Sequence, residues 1–498
     1  MNAPSFVWLI GIPLISAPLV YLSGHLGGDK GRTRIAQFVG LAALLITWVP
    51  FYYAAHELNL SGHTTWTLGS ISLCLNGIGL LLAAVALGLG TMVVLFSGPY
   101  MSGESNQEKF YAMLVAMIGV MIGLGFTCDL FNLWIWFEAM AITSYLLVAF
   151  YHELPPSLEA GVKYLVQSAV GSVLVLLAIG LVFSQTGTLN LEEIKAASGT
   201  SPALLAAGAL FVIGYGVKTA LVPLHTWLPD AHSQAPSGIS AMLSGVVIEA
   251  GLIAMLRSLA PLSQVTTMWG PLLIGLGILN MLVGNLMALR QIQVKRLLAY
   301  SSLSHVGYML VGIGIAIYAG KLYGSQGGFF HMFNHGMMKG LAFLAAGALL
   351  YTLHLAAGDH KPLMIQDLSG ASRRYPLVAL TFSMAVLALG AIPPLAGFMS
   401  EWQIFTAGFE TREALIAGLI ILAAFNSVFS LVYYVPLVNV LYRRETSDVV
   451  KSGSKLPRVM TIPLIILTAG VIIVGIWPSL MNWLTVPAGL DLLAAFSG

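Results

Sequence analysis

Three basic side chains recur at four-residue spacing within one apolar stretch of the sequence. His331, His335 and Lys339 lie in HMFNHGMMKGLAFLAAG. At about 3.6 residues per turn, they form one polar stripe along a helix. Because histidine gains and loses a proton near neutral pH, this stripe predicts proton transfer inside an apolar environment.

Four more ionisable side chains are embedded in apolar sequence: Glu138, Lys218, Glu249 and Glu401. Loss of solvent favours the neutral form of a lysine or a carboxyl group, while a nearby opposite charge restores the ionised form. A lysine whose carboxylate partner approaches or withdraws can therefore take up or release a proton. Together with the basic stripe, these four residues are interpreted as a relay for protons.

Two further histidines, His225 and His305, are candidate relay points with an equally good structural explanation. His305 suits a hydrogen-bonded core histidine, and His225 suits an interfacial turn together with His232. A purely structural ion pair between helices also explains any one buried charge taken alone. No metal-ligand spacing or nucleotide motif is present in the sequence, so we expect no metal site and no cofactor.

The composition indicates the surroundings of these residues. Of 498 residues, 58% are apolar and 8% are charged, with a mean hydropathy of +0.87. An ordinary soluble domain has about 25% charged residues, which excludes that class here. The net charge of +2 leaves no basic face for a nucleic acid. The expected environment is therefore a lipid bilayer.

The predicted fold is an all-α polytopic membrane protein with about 14 transmembrane helices, each of roughly 20 residues. The expected spans are 6–23, 35–55, 76–97, 109–127, 130–150, 161–184, 204–223, 237–257, 270–290, 296–319, 326–353, 376–408, 413–442 and 459–482. Inside a span, a charge costs about 2.5–3.5 kcal/mol. Ionisable side chains that bear this cost are expected to face the protein interior.

Positive residues predict the orientation, because lysine and arginine collect in cytoplasmic loops. If the first loop is cytoplasmic, 16 of the 22 Lys and Arg residues lie on the inner side and four on the outer side. The inner ones include Lys30, Arg32, Arg34, Arg290, Lys295, Arg296, Lys361, Arg373, Arg374, Arg443, Arg444 and Lys455. Both termini are then expected on the outer face. The N-terminus lacks a basic segment and a cleavage motif, so its first apolar stretch is expected to be a retained helix.

Prolines predict two broken helices. Pro223 in span 7 and Pro393 with Pro394 in span 12 remove backbone donors at membrane depth. Broken helices beside ionisable groups are typical of transporter ion sites built from two related halves. Spans 7 and 12 are five apart, which suits two five-helix units, spans 4–8 and 9–13. The predicted division is helices 1–3 in 1–108, a first repeat in 109–260, a second in 270–442, and a C-terminal helix and tail in 459–498.

Cys74 and Cys128 are the two cysteines, and they are far apart in the sequence. Two thiols exclude a four-cysteine iron–sulfur cluster within the chain. Their separation makes a disulfide scaffold an unfavoured interpretation.

Several long segments, in order, carry a family resemblance. They are DLFNLWIWFEAM, GVKTALVPLHTWLPDAHSQAPSGISAMLSG, FNHGMMKGLAFLAAG and AIPPLAGFMSEW. They resemble the complex I/Mrp antiporter-like membrane subunits, over residues of about 70–445. The resemblance implies two inverted repeats and places Glu138, Lys218, the span-11 stripe and Glu401 in the proton path, with Glu138 paired to Lys218. Its M- and D-type members are the most similar in length.

One position departs from that family pattern. Many M- and D-type members carry lysine in span 8, where this sequence has Glu249. An acid in place of a cation changes which proton-loaded state is stable. Either Glu249 relays protons itself, or pumping is modified in this protein.

The function predicted from these features is proton translocation, with Na⁺/H⁺ exchange as a variant, in a respiratory, hydrogenase or Mrp-type complex. Homologous membrane subunits are the expected partners, and the cytoplasmic membrane of a prokaryote is the expected location. Competing interpretations are a quinone-associated redox subunit, a stand-alone secondary transporter of an organic solute, and a structural anchor. The two distant cysteines disfavour the first, and the buried charges disfavour the last.

Overall fold

The computed structural model describes residues 4–26, 28–69 and 71–497, without the side chains of 28–33. The cations Lys30 and Arg32 and both chain ends, used above for orientation, thus fall outside the described groups. The first helices and the one hairpin are α1 Ser5–Leu26, α2 Gly28–Ser61, β1 Thr64–Leu68, β2 Ile71–Leu75, α3 Gly77–Tyr100, α4 Gln107–Gly125, α5 Leu130–Val148, α6 Pro155–Thr186 and α7 Leu191–Ala197.

The remaining α-helices complete the membrane domain. They are α8 Pro202–Lys218, α9 Trp227–Gln234, α10 Ser237–Met242, α11 Ile248–Leu259, α12 Trp269–Ala288, α13 Val294–Ala319, α14 Leu322–Leu353, α15 Pro376–Leu389, α16 Ala396–Phe409, α17 Ala414–Leu441, α18 Asp448–Ser452, α19 Arg458–Ile476 and α20 Asn482–Phe496. A π-helical turn, Leu243–Val247, joins α10 to α11.

Within the described residues, 13 helical segments are long and apolar enough to cross a membrane. One of them contains α20, which we assign to one surface of the membrane domain, because Asp491 and Gly489 contact residues at the same ends of several spans. Asp491 Oδ2 accepts from Gly77 N at 2.5 Å, and Ser325 Oγ donates to Gly489 O at 3.1 Å. Twelve continuous segments and two interrupted ones, α8 with α9 and α15 with α16, give fourteen crossings. The all-α membrane fold predicted from the sequence is confirmed.

Burial separates central from peripheral helices. Side chains of α3, α10, α11, α13 and α14 are mostly buried, whereas α1, α2, α6 and α17 carry long exposed apolar faces. Apolar side chains on an outer face are expected in a bilayer, because lipid tails solvate them as well as protein does. The ionisable residues identified above lie mainly on the central helices.

Both predicted breaks are present, and they share one backbone design. At the first, Ala220 has a φ of 58° and the Val222–Pro223 bond is cis; at the second, Ala391 has a φ of 51° and the Pro393–Pro394 bond is cis. Each alanine therefore stands three residues before its cis proline. This correspondence supports two related halves.

Neighbouring amides satisfy the backbone groups that the breaks release. Asn280 of α12 accepts from Val222 N at 2.8 Å and donates to Ala220 O at 3.2 Å. Asn334 of α14 donates to Ala396 O at 2.8 Å, just after the second break. Because hydrocarbon offers no partners, such protein donors and acceptors are what allow a helix to be interrupted at membrane depth.

The cysteines correct one expectation, since Cys74 and Cys128 form a disulfide with their Cα atoms 5.9 Å apart. Although they are 54 residues apart in the chain, strand β2 pairs with the α4–α5 turn. Cys74 N donates to Phe126 O at 2.6 Å, and Cys128 N donates to Ser72 O at 3.3 Å. The hairpin that brings them together carries too weak a sequence pattern to predict.

Candidate functional site

Lys218 is the last residue of α8 and its side chain is 1% exposed. Its Nζ donates to the hydroxyl of Tyr164 at 2.7 Å and lies 4.2 Å from the centroid of that ring. Tyr164 in turn stacks on Trp227, with the ring centroids 3.9 Å apart. The cation is thus held at the first break by an aromatic pair from α6 and α9.

Glu138 does not form the ion pair with Lys218 that the family resemblance implied. It lies half-buried on α5, beside the exposed side chains of Ile135 and Ile142. Its Oε1 atom is buried without a hydrogen-bond partner in the described structure. The ring of Phe137, the residue before Glu138, lies 4.9 Å from that of Tyr215 on α8. Helix α5 thus packs against the helix that ends at Lys218, while the hydrogen bond of the lysine goes to Tyr164.

Glu249 pairs with the middle histidine of the stripe. Its Oε1 accepts from His335 Nδ1 at 2.9 Å, and both side chains are 0% exposed. The π-helical turn ends two residues before Glu249, and such turns are frequent at functional sites. Glu249, at the position where the family resemblance implies lysine, thus pairs directly with His335, a side chain that can both donate and accept a proton.

His305 lies close to both histidines of the stripe, His331 and His335. Its ring centroid lies 5.3 Å from that of His335 and 5.3 Å from that of His331. Its Nδ1 is 3.1 Å from His331 Nε2, which is hydrogen-bond distance. The structure therefore places this sequence-predicted candidate at the centre of the cluster.

Donor counting assigns the tautomer of His331. Ser400 Oγ donates to the carbonyl groups of Ala396 or Gly397, so it accepts from His331 Nδ1 at 2.9 Å. Since Nδ1 carries the hydrogen, Nε2 of a neutral His331 has the lone pair. His305 Nδ1 is then the donor between the two rings.

Glu401 ends the row on α16. Its Oε2 accepts from Ser427 at 2.6 Å, and its side chain is 2% exposed. A carboxylate oxygen of Glu401 and one ring nitrogen each of His305 and His331 lie within 4.8 Å of one another. Glu249, His335, His305, His331 and Glu401 thus lie in one buried row, which we call the central row. Hydrogen bonds join Glu249 to His335 and His305 to His331, whereas His335 Nε2 has no partner in the described structure.

Lys339 lies beside the central row and bonds elsewhere. Its Nζ donates to Leu298 O at 2.8 Å and closely to Ser301 Oγ, both on α13. Although it is 0% exposed, no carboxylate pairs with it in the described part of the chain. A proton released by Lys339 would have to pass through an intermediate group before it reached the central row.

His225 remains apart from the other candidates. It is half-buried in the first break, its Nδ1 has no partner among the described residues, and its ring lies 6.4 Å from that of Tyr300. His232 is fully buried and stacks on Phe343 at 4.7 Å. Neither histidine has a hydrogen bond that leads to the central row.

The first break and the central row meet at one close contact between helices. A Cβ atom on Gly251 of α11 would lie 3.1 Å from Lys218 Cβ and 3.0 Å from Thr219 Oγ1. Gly251 is two residues after Glu249, so the glycine brings Lys218 near the start of the row. No hydrogen bond in the described structure joins Lys218 to Glu249, and a proton passing between them requires water or motion.

Several participants were missed by sequence reasoning. Tyr164, Ser400, Ser427 and Asn280 each bond a relay residue or a break. Hydroxyl and amide groups are common in membrane helices, so residue type alone gives no signal. The one clue in the sequence would have been a polar residue spaced to lie on the same side of a helix as a buried charge.

The sequence has clear relatives among known proteins. Residues 127–430 match the family described as NADH:quinone oxidoreductase/Mrp antiporter, TM. The chain is 30% identical over 471 residues to F(420)H(2) dehydrogenase subunit N of Methanosarcina mazei, covering 92% of each protein. It is 28% identical over 495 residues to NADH-quinone oxidoreductase subunit N of Desulforudis audaxviator, covering 95% of this chain and 94% of the relative.

A solved structure is similar over almost the whole length. A chain of the membrane-bound sulfane sulfur reductase, an archaeal respiratory membrane complex, superposes with a TM-score of 0.87 at 28% identity. The match covers 98% of this chain and 97% of that chain. The relatives named here are subunits of larger membrane complexes.

Proposed function

Because the chain belongs to the NADH:quinone oxidoreductase/Mrp antiporter transmembrane family, we propose that it translocates protons as one subunit of a larger membrane complex. The observation that carries this proposal is the buried central row from Glu249 to Glu401. Its five members come from four different crossings. Two pairs are hydrogen-bonded, the rings of His335 and His305 lie 5.3 Å apart, and Glu401 has an oxygen within 4.8 Å of a nitrogen of His305 and of His331. A structural role would require only isolated pairs.

Histidines make the central row suitable for protons. A neutral imidazole accepts on one nitrogen and donates from the other, so a proton enters at one side and leaves at the opposite side. His335, His305 and His331 lie in succession between two carboxyl groups. The carboxyl groups then load and unload the row.

Lys218 is proposed to control loading at the first break. As a cation it is held by Tyr164, and approach of the Glu138 carboxylate on the neighbouring helix α5 would favour the charged form. If the break moves so that Glu138 withdraws, burial favours release of the proton from the lysine toward Glu249. Glu249 would receive that proton through an intervening water or a movement of the break.

The nitrogen-rich composition of the central row favours protons over Na⁺. Hard cations prefer oxygen ligands, whereas here three imidazole rings lie between the two carboxyl groups. Proton transfer alone is therefore the leading form of the proposal, and Na⁺/H⁺ exchange remains the variant to be measured alongside it.

Energy for uphill pumping is proposed to come from partner subunits. The exposed apolar faces of α2 and α17 are available for such membrane contacts or for lipid, with Phe425 71% and Phe38 66% exposed. A proton path alone only lets a gradient dissipate. The named relatives function as subunits, as their descriptions state, which supports this arrangement.

The test is proton flux in vesicles containing the parent complex. Lys218→Ala and His305→Ala are each expected to lower proton flux by at least roughly 100-fold, the scale of a lost proton-transfer group. His152→Ala is the matched control, because His152 lies in an exposed stretch between α5 and α6. The proposal fails if His305→Ala keeps wild-type flux in a complex that assembles normally.

We further propose that the even-numbered loops face the outside of a prokaryotic cytoplasmic membrane. The Cys74–Cys128 bond joins two such loops, and disulfides persist mainly in oxidising compartments. Clusters such as Arg373 with Arg374 and Arg443 with Arg444 lie in odd-numbered loops, where the positive-inside rule expects them. The two features point to the same orientation.

A further inference from the structure

Three ligand-bearing side chains from three crossings meet at one end of the central row. They are His305 of α13, His331 of α14 and Glu401 of α16, each at most 3% exposed. Each offers one nitrogen or oxygen atom, and these atoms lie within 4.8 Å of one another. No metal site was expected from the sequence, because the three residues are too far apart in the chain to form a recognisable spacing.

We propose that His305, His331 and Glu401 bind one divalent transition-metal ion, with Zn²⁺ as the representative, and that the bound ion blocks proton transfer along the central row. The blocking effect rests on the proposed function. The binding itself does not, since it needs only the three ligands.

The donor set suits zinc in chemistry and in size. Two imidazole nitrogens and one carboxylate oxygen, with a fourth position open for water, form a common zinc arrangement. Tetrahedral bonds of about 2.0–2.2 Å place neighbouring ligand atoms roughly 3.4 Å apart. His305 Nδ1 and His331 Nε2 are already 3.1 Å apart. Two ligand atoms that lie 4.8 Å apart would have to approach each other by roughly 1.5 Å, a shift that small side-chain rotations provide.

Two serines orient the ligands from the side away from the cluster. Ser400 binds His331 Nδ1 at 2.9 Å and leaves the lone pair of Nε2 directed at His305. Ser427 donates to Glu401 Oε2 at 2.6 Å, which leaves Oε1 for a metal. Such outer partners fix ring tautomer and carboxylate orientation, and their loss typically lowers metal affinity 10–100-fold.

Occupation of this cluster would interrupt the row at a defined atom. His331 Nε2 accepts the hydrogen bond of His305 when the cluster is empty. With a metal on that nitrogen, the ring has no lone pair left to accept a proton. His305 offers Nδ1 to the metal as a neutral ring whose hydrogen has moved from Nδ1 to Nε2. A positive charge on Lys339, which shares α14 with His331, would oppose the metal, but its bonds to Leu298 O and Ser301 hold it on α13.

Binding can be measured with Co²⁺, whose visible absorption distinguishes tetrahedral from octahedral coordination. In lipid nanodiscs, the full chain is expected to bind one tetrahedral Co²⁺ that Zn²⁺ displaces. His331→Ala and Glu401→Ala are expected to lose this ion. The control His232→Ala removes an equally buried histidine outside the cluster and should retain it. The same tetrahedral spectrum and stoichiometry in His331→Ala would overturn the proposal.

A second pair of variants keeps all three ligands and so avoids gross misfolding. Ser427→Ala should weaken Co²⁺ binding 10–100-fold. The matched control is Ser430→Ala on the same helix, because Ser430 is also buried and its Oγ has no partner in the described structure. Its affinity should equal that of the wild type. Equal affinities in Ser427→Ala and wild type would count against the assigned ligand geometry.

Blocking is tested by Zn²⁺ inhibition of proton flux in the parent complex, with each variant scaled to its own metal-free rate. The half-inhibiting Zn²⁺ concentration should rise 10–100-fold in Ser427→Ala and stay unchanged in Ser430→Ala. Binding without inhibition would overturn the block and keep the site. Loss of flux in metal-free His305→Ala is a separate result, which tests the proposed function alone.

Discussion

Lys218 owes its position to one hydroxyl group and two aromatic faces. A buried ammonium needs partners for its donors, and Tyr164 supplies the one hydrogen bond that Lys218 makes in the described structure. The ring faces of Tyr164 and Trp227 add cation–π attraction, with Nζ 4.2 Å and 6.0 Å from the two centroids. This arrangement keeps a lysine inside the membrane without an ion pair.

Replacing Tyr164 by Phe should separate the hydrogen bond from the stacking. The ring can remain on Trp227, while the charged lysine loses a bond worth about 1.5–3 kcal/mol. Proton flux should fall by roughly 10- to 100-fold, since each 1.36 kcal/mol corresponds to tenfold. Tyr111→Phe is the control, because the Tyr111 hydroxyl is buried without a partner. Equal flux in both variants would show that Tyr164 does not position the lysine.

Glu249 is expected to act through protonation rather than through shape. Glu249→Gln keeps the volume and can still accept from His335, but the amide cannot carry a proton. Proton flux should fall by roughly 100-fold or more. Glu108→Gln, at a buried acid in the first turn of α4, serves as control and should stay within about twofold. Flux above half of wild type in Glu249→Gln would remove Glu249 from the path.

Residue type and hydropathy were enough to predict most members of the central row. Glu249, His331, His335 and Glu401 stand out because charge inside a span is costly. The partners of these residues were not predictable in the same way. His305 meets His331 only because α13 and α14 pack side by side, and one sequence carries no record of that packing.

Helix interruptions were predictable where proline caused them, whereas short elements were not. Prolines mark both breaks, but α9 has eight residues and the β1–β2 strands have five each. Such lengths give weak periodic signals. The helix α20 was expected only as part of a tail, because its apolar pattern does not reveal that it lies along one surface of the domain. The boundaries of the two repeats remain a prediction.

The close contact between the first break and α11 depends on Gly251, which has no side chain. Gly251→Ala would place Cβ 3.0 Å from Thr219 Oγ1 and 3.1 Å from Lys218 Cβ, so the break must shift by a few tenths of an ångström. Overpacking of this kind costs about 1–3 kcal/mol. We expect a lower melting temperature in detergent together with reduced proton flux.

A second glycine on a crossing helix provides the comparison. A Cβ on Gly180 of α6 would meet no atom within 4 Å, and alanine favours a helix over glycine by about 1 kcal/mol. Gly180→Ala should therefore leave the melting temperature unchanged or raise it. If Gly251→Ala behaves in the same way, close approach of the break to α11 is not required.

At the scale of the whole molecule, the two faces differ in chemistry. The β hairpin, the disulfide and α20 lie together on one face, where His63 contacts Asp491 at 3.1 Å. The opposite face carries the long loop between α14 and α15 and the loop with α18, where Arg374 donates to Lys451 O and Gly453 O. In the proposed orientation, the basic face is the inner one and the face with the disulfide is the outer one.

Sidedness can be measured directly because the chain has two cysteines. In right-side-out vesicles, an impermeant reductant followed by an impermeant maleimide should label Cys74 and Cys128, since an oxidised pair belongs in the outer compartment. Inside-out vesicles should stay unlabelled. In a cysteine-free background, Ser452→Cys, in the exposed helix α18, should give the opposite pattern. Labelling of the native pair from the inner side would reverse the orientation, and with it the direction in which the central row carries protons.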